Sequence, residues 1–230
     1  MIHFEENNGI GVISLDSGKG NMLSFDDLQD LNTILCNGRL AVKGLVMTGL
    51  NRSFCTGLQV CQGCENEAFK LLDSTLLNLY SYKNPLVIAL SGHAIGAGFL
   101  FLCCADYVIA QDSEKAKYGL PEVELGLGLD QCMVSLLAST ISPLVMKKLI
   151  CTSRYVSYKE LKEWQLIDEI QKENLTVDCV SFIGKVSFRE SYSFCKLLMR
   201  KQGILKMQAA IDGGCYMDLG ELIRKNKYSL

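Results

Sequence analysis

Histidine is nearly missing from this chain of 230 residues: two are present, against eleven cysteines. Cys61-x-x-Cys64 has the spacing of half a zinc site, but no second pair stands at a matching distance and histidine is too scarce to complete one, so no metal is expected. There is no dense basic run, and a formal charge of −2 gives no general attraction to nucleic acid or to an anionic membrane. Met1-Ile2-His3-Phe4-Glu5-Glu6 has neither the basic nor the apolar region of a secretory signal. Tyr228-Ser229-Leu230 departs from the Ser-Lys-Leu peroxisomal address. A cytoplasmic chain with reduced cysteines is therefore the expectation. No repeat, low-complexity tract or linker is present.

What is there is ordinary for a globular protein: 49% apolar and 21% charged residues, in a chain long enough to bury a substantial core. The uncharged stretch from Leu86 to Ala105 has membrane length, yet Ser91, Gly92, His93, Gly96 and Gly98 break its middle. That reads as a buried strand, a turn and a buried helix, with no membrane partner.

Ile10–Leu15 reads as a strand, with Ile2–Glu6 as its partner across an Asn7-Asn8-Gly9 turn. Ser24 has the place of an N-cap, followed by Asp26 and Asp27 in a first helical turn and Leu28, Leu31 and Leu35 at helical spacing. Gly44–Thr48 reads as a short buried strand. Asn66–Tyr82 reads as a helix with Phe69, Leu72, Leu76 and Leu79 on one face. Pro85 opens the next strand, Tyr107–Ala110 is another, and the alternation of strand and helix predicts an α/β fold. From Cys132 onward the pattern turns helical, with a capping box at Ser157-x-x-Glu160, one short strand at Leu166–Ile170, and helices in the last fifty residues. The expected organisation is a core over 1–172 and a helical C-terminal region over 173–230.

Chemistry concentrates around small residues. Leu86–Leu90 runs into Ser91-Gly92-His93-Ala94-Ile95-Gly96-Ala97-Gly98 and reopens as the apolar helix from Phe99. The first backbone N–H groups of that helix lack partners inside it and can donate to an anion or a polarised carbonyl. A second small loop, Phe54-Cys55-Thr56-Gly57-Leu58, lies upstream, and a glutamate, Glu122, lies downstream. Two backbone donors and one carboxylate suffice to stabilise an enolate and to move its proton. Gly96-x-Gly98 lacks the third glycine of a dinucleotide fingerprint, and no P-loop lysine follows it.

Four segments in order, Gly18-Lys19-Gly20-Asn21-Met22-Leu23-Ser24, Ser53–Leu58, Pro85–Asp106 and Tyr118–Gly126, resemble the crotonase superfamily, the enoyl-CoA hydratases and isomerases. The likeness spans roughly residues 8 to 172. It implies a ββα spiral with C-terminal helices that assemble a homotrimer or a hexamer. It also implies an acyl-CoA or acyl-carrier-protein thioester as substrate, with coenzyme A entering as part of the substrate and no separate cofactor. By the same resemblance the N–H groups of Leu58 and Ala97 form an oxyanion hole. Gly57, Gly96 and Gly98 shape that hole, Lys19 meets the coenzyme A phosphates, and Glu122 is the base. Arg52 is a second candidate for the phosphates.

One departure bears on the reaction. The second glutamate that hydratases carry in the helix after the glycine turn matches Leu100, so the carboxylate pair that holds and activates water is incomplete. This favours a double-bond isomerase, which shuttles one proton with one base. Asp130, eight residues beyond Glu122, resembles the aspartate that serves dienoyl-CoA isomerases as a second acid, and it also reads as a helix N-cap. Glu124 reads as solvated, and His93 as a packed or hydrogen-bonded side chain. Alternatives are a hydratase, a polyketide-pathway dehydratase or decarboxylase on carrier-bound chains, and a catalytically silent homologue kept for assembly.

Overall fold

The computed structural model describes residues 1–36, 42–50, 52–59, 65–186 and 190–214. Cys61 and Cys64, as well as the chain from residue 215 onward, lie outside the described residues. An antiparallel hairpin opens the chain, β1 (Ile2–Asn7) and β2 (Ile10–Leu15), with Ile2 opposite Leu15. Asn8 and Gly9 both take positive φ, 54° and 77°, the geometry that a two-residue hairpin turn needs. Helix α1 (Phe25–Cys36) follows Ser24, whose Oγ accepts from the Asp27 N–H at 3.1 Å while the Ser24 N–H donates to Asp27 Oδ2 at 3.0 Å. That reciprocal pair is a capping box closed by an aspartate.

Three repeats then share one plan. Strand β3 (Gly44–Gly49) is followed by β4 (Ser53–Cys55) and α2 (Glu65–Tyr80). Next come β5 (Leu86–Leu90), β6 (His93–Ile95) and α3 (Ala97–Cys104). The third unit is β7 (Tyr107–Gln111), β8 (Tyr118–Gly119) and α4 (Gln131–Thr140). The first strand of each unit joins a six-stranded sheet, and the second joins a small parallel sheet ordered β4-β6-β8. Helices α5 (Pro143–Thr152) and α6 (Tyr158–Glu163) lead to β9 (Glu169–Gln171), α7 (Leu175–Lys185) and α8 (Glu190–Asp212). The large sheet runs β1-β2-β3-β5-β7-β9 and is parallel from β2 onward. This is the ββα spiral with C-terminal helices.

Two apolar layers hold it. On one face of the large sheet Val46, Val87, Ala89 and Ile109 pack under Cys179 and Ile183 of α7. The other face carries the main core, including Leu45, Met47, Ile88, Leu76, Phe99 and Leu136. Helix α7 thus covers one face of the sheet. The expected strand over 166–170 shrinks to Glu169–Gln171, because the Leu166 N–H bonds back to the Leu161 carbonyl and closes the turn after α6. No described helix is long and apolar enough to cross a membrane.

Helix α8 is anchored by charge. Asp106 accepts from Lys196 Nζ at 2.6 Å and from Arg200 Nη2 at 2.8 Å, and it takes the Leu86 N–H at 2.7 Å. All three side chains are largely enclosed, at 5%, 14% and 13% exposure for Lys196, Asp106 and Arg200. Removing the shared anion strands two buried cations, which costs about 3–5 kcal/mol. Asp106→Ala is therefore expected to lower unfolding free energy by about that amount in urea titration, with α8 the first element to lose protection in hydrogen exchange.

Candidate active site

The small sheet brings the three chemical segments together. Strands β4, β6 and β8 end side by side, and the Gly96 N–H donates to the Gly119 carbonyl at 3.0 Å. Glu122 stands three residues past Gly119, in a turn held by bonds from Leu125 N–H to Pro121 O and from Leu127 N–H to Glu122 O. Gly96 takes φ +58°, and a Cβ built there would lie 3.0 Å from Glu122 Oε1. Helix α3 starts against β4 so closely that a Cβ at Gly98 would fall 2.1 Å from the Cys55 carbonyl oxygen. Glycine is required at both places, for the positive φ in one and the backbone contact in the other.

Two amides converge here. A parallel bridge joins Leu23 to Leu58 through Leu23 N–H to Gly57 O at 3.0 Å and Gln59 N–H to Leu23 O at 2.8 Å. That bridge does not use the Leu58 N–H, which faces the other side of the strand. Ala97 is the first residue of α3, and its cap residue Gly96 offers no side-chain acceptor, so the Ala97 N–H has the open valence of a helix start. Leu58, Ala97, Gly57, Gly96 and Glu122 all line one cavity of about 180 Å³.

The other walls of that cavity are mostly apolar, with Phe69, Leu72, Leu100, Leu125, Leu129 and Met133 among them and the hydroxyl of Thr56 the one other polar side chain among the described residues. Glu122 Oε2 is enclosed and meets no hydrogen-bond partner. Burial pushes the Glu122 carboxyl up to about 7, with its own backbone N–H opposing the shift. A carboxyl poised there can take a proton and give it back near neutrality. Leu100 places a hydrocarbon where a second carboxylate would stand, and Glu122 is the one titratable side chain among the described residues that line the cavity.

A larger cavity of about 720 Å³ adjoins it and shares Thr56 and Ile95 with it. Lys19 lies on this second cavity, with Lys117 and Tyr155 opposite, the ammonium of Lys117 5.3 Å from the Tyr155 ring centre. His93 accepts the Lys117 N–H on Nδ1 at 3.0 Å. Arg52 is exposed and lines neither cavity, and Glu124 is exposed in the turn.

Asp130 is not on the cavity surface. It caps α4, with Oδ1 accepting the Met133 N–H at 2.9 Å, and it faces Asp73 of α2. Leu129 and Met133 line the cavity, whereas Asp130 does not. Two residues escaped the sequence reading. Asn21, in the left-handed region at φ 52°, donates to the carbonyls of Leu50, Ser53 and Phe54 and so fixes the loop that carries Leu58. Asp73 is buried behind Leu72; its signal was an acid on the apolar face of α2, four residues after Phe69.

Residues 5–203 match the model of the enoyl-CoA hydratase/isomerase family, and the chain belongs to that family. It is similar to the carnitinyl-CoA dehydratase of Citrobacter koseri, 24% identical over 186 residues, which are 77% of this chain and 70% of that protein. The carnitinyl-CoA dehydratase of Escherichia coli K12 is 23% identical over 185 residues, with the same coverage of 77% and 70%. Among solved structures, the enoyl-CoA hydratase EchA3 of Mycobacterium ulcerans superposes with a TM-score of 0.83 at 24% identity, covering 92% of this chain and 96% of that one. An enoyl-CoA isomerase of Mycobacterium tuberculosis gives 0.84 at 23% identity, with coverage of 92% and 96%. These likenesses show the crotonase fold.

Gly96→Ala tests the geometry. A methyl group there meets the Glu122 carboxylate and forces φ out of the positive region. Turnover should drop by about 10²-fold, the usual effect of an ångström-scale misplacement, while far-ultraviolet circular dichroism stays native.

Proposed function

We propose that this protein is an acyl-thioester double-bond isomerase that acts on acyl-CoA through an enolate held by two backbone amides. The observation that carries the reading is Glu122 as the sole titratable side chain on the described walls of a cavity whose only other polar side chain is Thr56. Glu122 takes a proton from C2 of a 3-enoyl thioester. The C–H electrons move onto the thioester oxygen, which accepts from the N–H groups of Leu58 and Ala97. Each such preorganised donor is worth about 3–4 kcal/mol of barrier. Collapse of the dienolate moves the double bond to C2, and Glu122 returns the proton to C4. One carboxylate reaches both carbons.

The names of the curated relatives favour a dehydratase as the second reading. Adding or removing water calls for a second group to hold the water, and Leu100 cannot do so. The two-acid route for 3,5-dienoyl chains needs Asp130 at the distal carbons, and its absence from the cavity lining, with one oxygen engaged in capping α4, argues against it. Carrier-protein substrates and an assembly role without turnover remain alternatives within the family. Lys19 and Lys117 flank the adjoining cavity and suit the phosphates of coenzyme A. Phe194, Leu198, Met199 and Leu205 stand exposed on α8, which supports assembly of copies into a trimer or a hexamer.

A panel of 3-enoyl, 3,5-dienoyl and 2-enoyl thioesters tests the reading. The 3-enoyl substrate should turn over fastest. Hydration of the 2-enoyl thioester at a higher rate would replace the isomerase with the hydratase.

Glu122→Gln should keep thioester binding while lowering isomerisation by roughly 10²–10⁴-fold. The base acts when ionised, so wild-type kcat/KM should fall about tenfold per pH unit below about 7 and level off above it. Near-wild-type turnover in the glutamine variant would remove Glu122 from the mechanism.

A further inference from the structure

Behind the cavity wall two other carboxyl groups meet. Asp73 and Asp130 are 1% and 2% exposed and lie within hydrogen-bonding reach of each other. Asp130 Oδ1 is occupied by the Met133 N–H at 2.9 Å. Asp130 Oδ2 and both oxygens of Asp73 receive no nitrogen or hydroxyl donor, and the Cys132 thiol is the remaining polar neighbour.

Other elements packed here add no compensating cation. Helix α3 brings the Cys104 thiol near Cys132. Helix α8 buries Gly203, Met207 and Ala210, and its buried Lys196 is paired with Asp106. Helix α1 has its buried acid, Asp27, engaged with Ser24 and the Met1 ammonium. Among the described residues no lysine or arginine pairs with Asp73 or Asp130.

Two desolvated carboxylates in contact cannot both stay ionised, since burial and like charge oppose it together. One proton between them turns repulsion into an O–H···O⁻ bond, which belongs to the strong class. Leu72, next to Asp73, and Leu129 and Met133, on either side of Asp130, line the small cavity. We propose that Asp73 is a neutral carboxylic acid whose O–H donates to the Asp130 carboxylate. This one-proton tie between α2 and α4 makes Asp73 a positioning residue for the wall formed by Leu72, Leu129 and Met133. The proposal rests on the reading of that cavity as the acyl site.

Burial, and then the charge of Asp130, pushes Asp73 up to about 9, and burial raises Asp130 as well. An aspartate in the unfolded chain titrates near 3.9. Between those values the folded state binds a proton that the unfolded state releases, so stability falls as pH rises.

Thermal unfolding of the full chain between about pH 5 and pH 9 reads this directly. Asp73→Asn supplies an amide donor that does not titrate. Its melting temperature should depend less steeply on pH than that of the wild type, and at about pH 8 it should be no lower. Asp130→Asn, which still caps α4, should flatten the slope too. Glu122 titrates equally in all three proteins, so it drops out of the comparison.

The positioning role shows in kinetics. Asp73→Ala should raise KM for the 3-enoyl thioester about tenfold with kcat within about twofold, because Glu122 and its two amides are untouched. Asp73→Asn should restore KM. An unchanged slope in Asp73→Asn overturns the proposal even if the alanine variant fails to fold, and so does a folded Asp73→Ala protein with wild-type KM. Wild-type protein that turns over none of the thioesters would instead overturn the isomerase reading, and the slope comparison would stand independently of it.

Discussion

Everything in the site depends on how closely α3 can approach β4. The first turn of α3 rests on the Cys55 carbonyl with no room for a side chain at Gly98, and Ala97 of that turn lines the same cavity as Leu58. Asn21 holds the other side of the arrangement, since its side-chain amide donates into the Leu50, Ser53 and Phe54 carbonyls at 2.8, 2.7 and 3.4 Å. An oxyanion needs donors that are already in place when charge develops, because donors that must reorganise give back much of their stabilisation. In the proposed oxyanion hole the donors belong to the main chain of a helix start and of a bridged loop. Their direction is set by packing, and the side chains of Leu58 and Ala97 have little part in it.

Much of this was legible in the sequence, for reasons that differ between elements. Strands β2, β3, β5 and β7 are apolar runs bounded by turn residues. The N-cap at Ser24 and the capping box at Ser157 announce their helices by hydrogen-bonding chemistry, and both form. Glu122 and the glycine loops were legible only as an ordered set, because each alone is an ordinary turn. Strands β4, β6 and β8 left no periodic trace: with three, three and two residues they are too short for alternation to register. They are the strands that assemble the site.

Asp130 and Asp73 show the limit more sharply. The spacing of Asp130 from Glu122 is shared by a second acid and by a helix cap, and the sequence is silent on the partner that Asp130 faces across α2. Asp73 falls on the buried face of α2 between Phe69, Leu72 and Leu76, where an amphipathic pattern calls for an apolar residue. Local pattern and global packing disagree there, and such disagreements are expected near functional or strained sites.

Leucine at position 100 bears on the electrostatics of the cavity as well as on its inventory. A second carboxylate beside Glu122 would draw in water and would raise the cost of ionising the first, since like charges at close range oppose each other. With leucine there, Glu122 meets hydrocarbon, and its carboxyl is lifted by burial, with no neighbouring charge among the causes. A base raised by desolvation gains strength without holding a water molecule in line with the double bond. In the proposed isomerase that combination favours proton transfer between carbons of a bound chain over hydration, because the enolate lies next to the one carboxyl that formed it. The acyl walls must then exclude water for the whole lifetime of that enolate. In that reading a carboxyl pair that keeps Leu129 and Met133 positioned against Leu72 serves catalysis through the cavity wall, without lining the cavity itself.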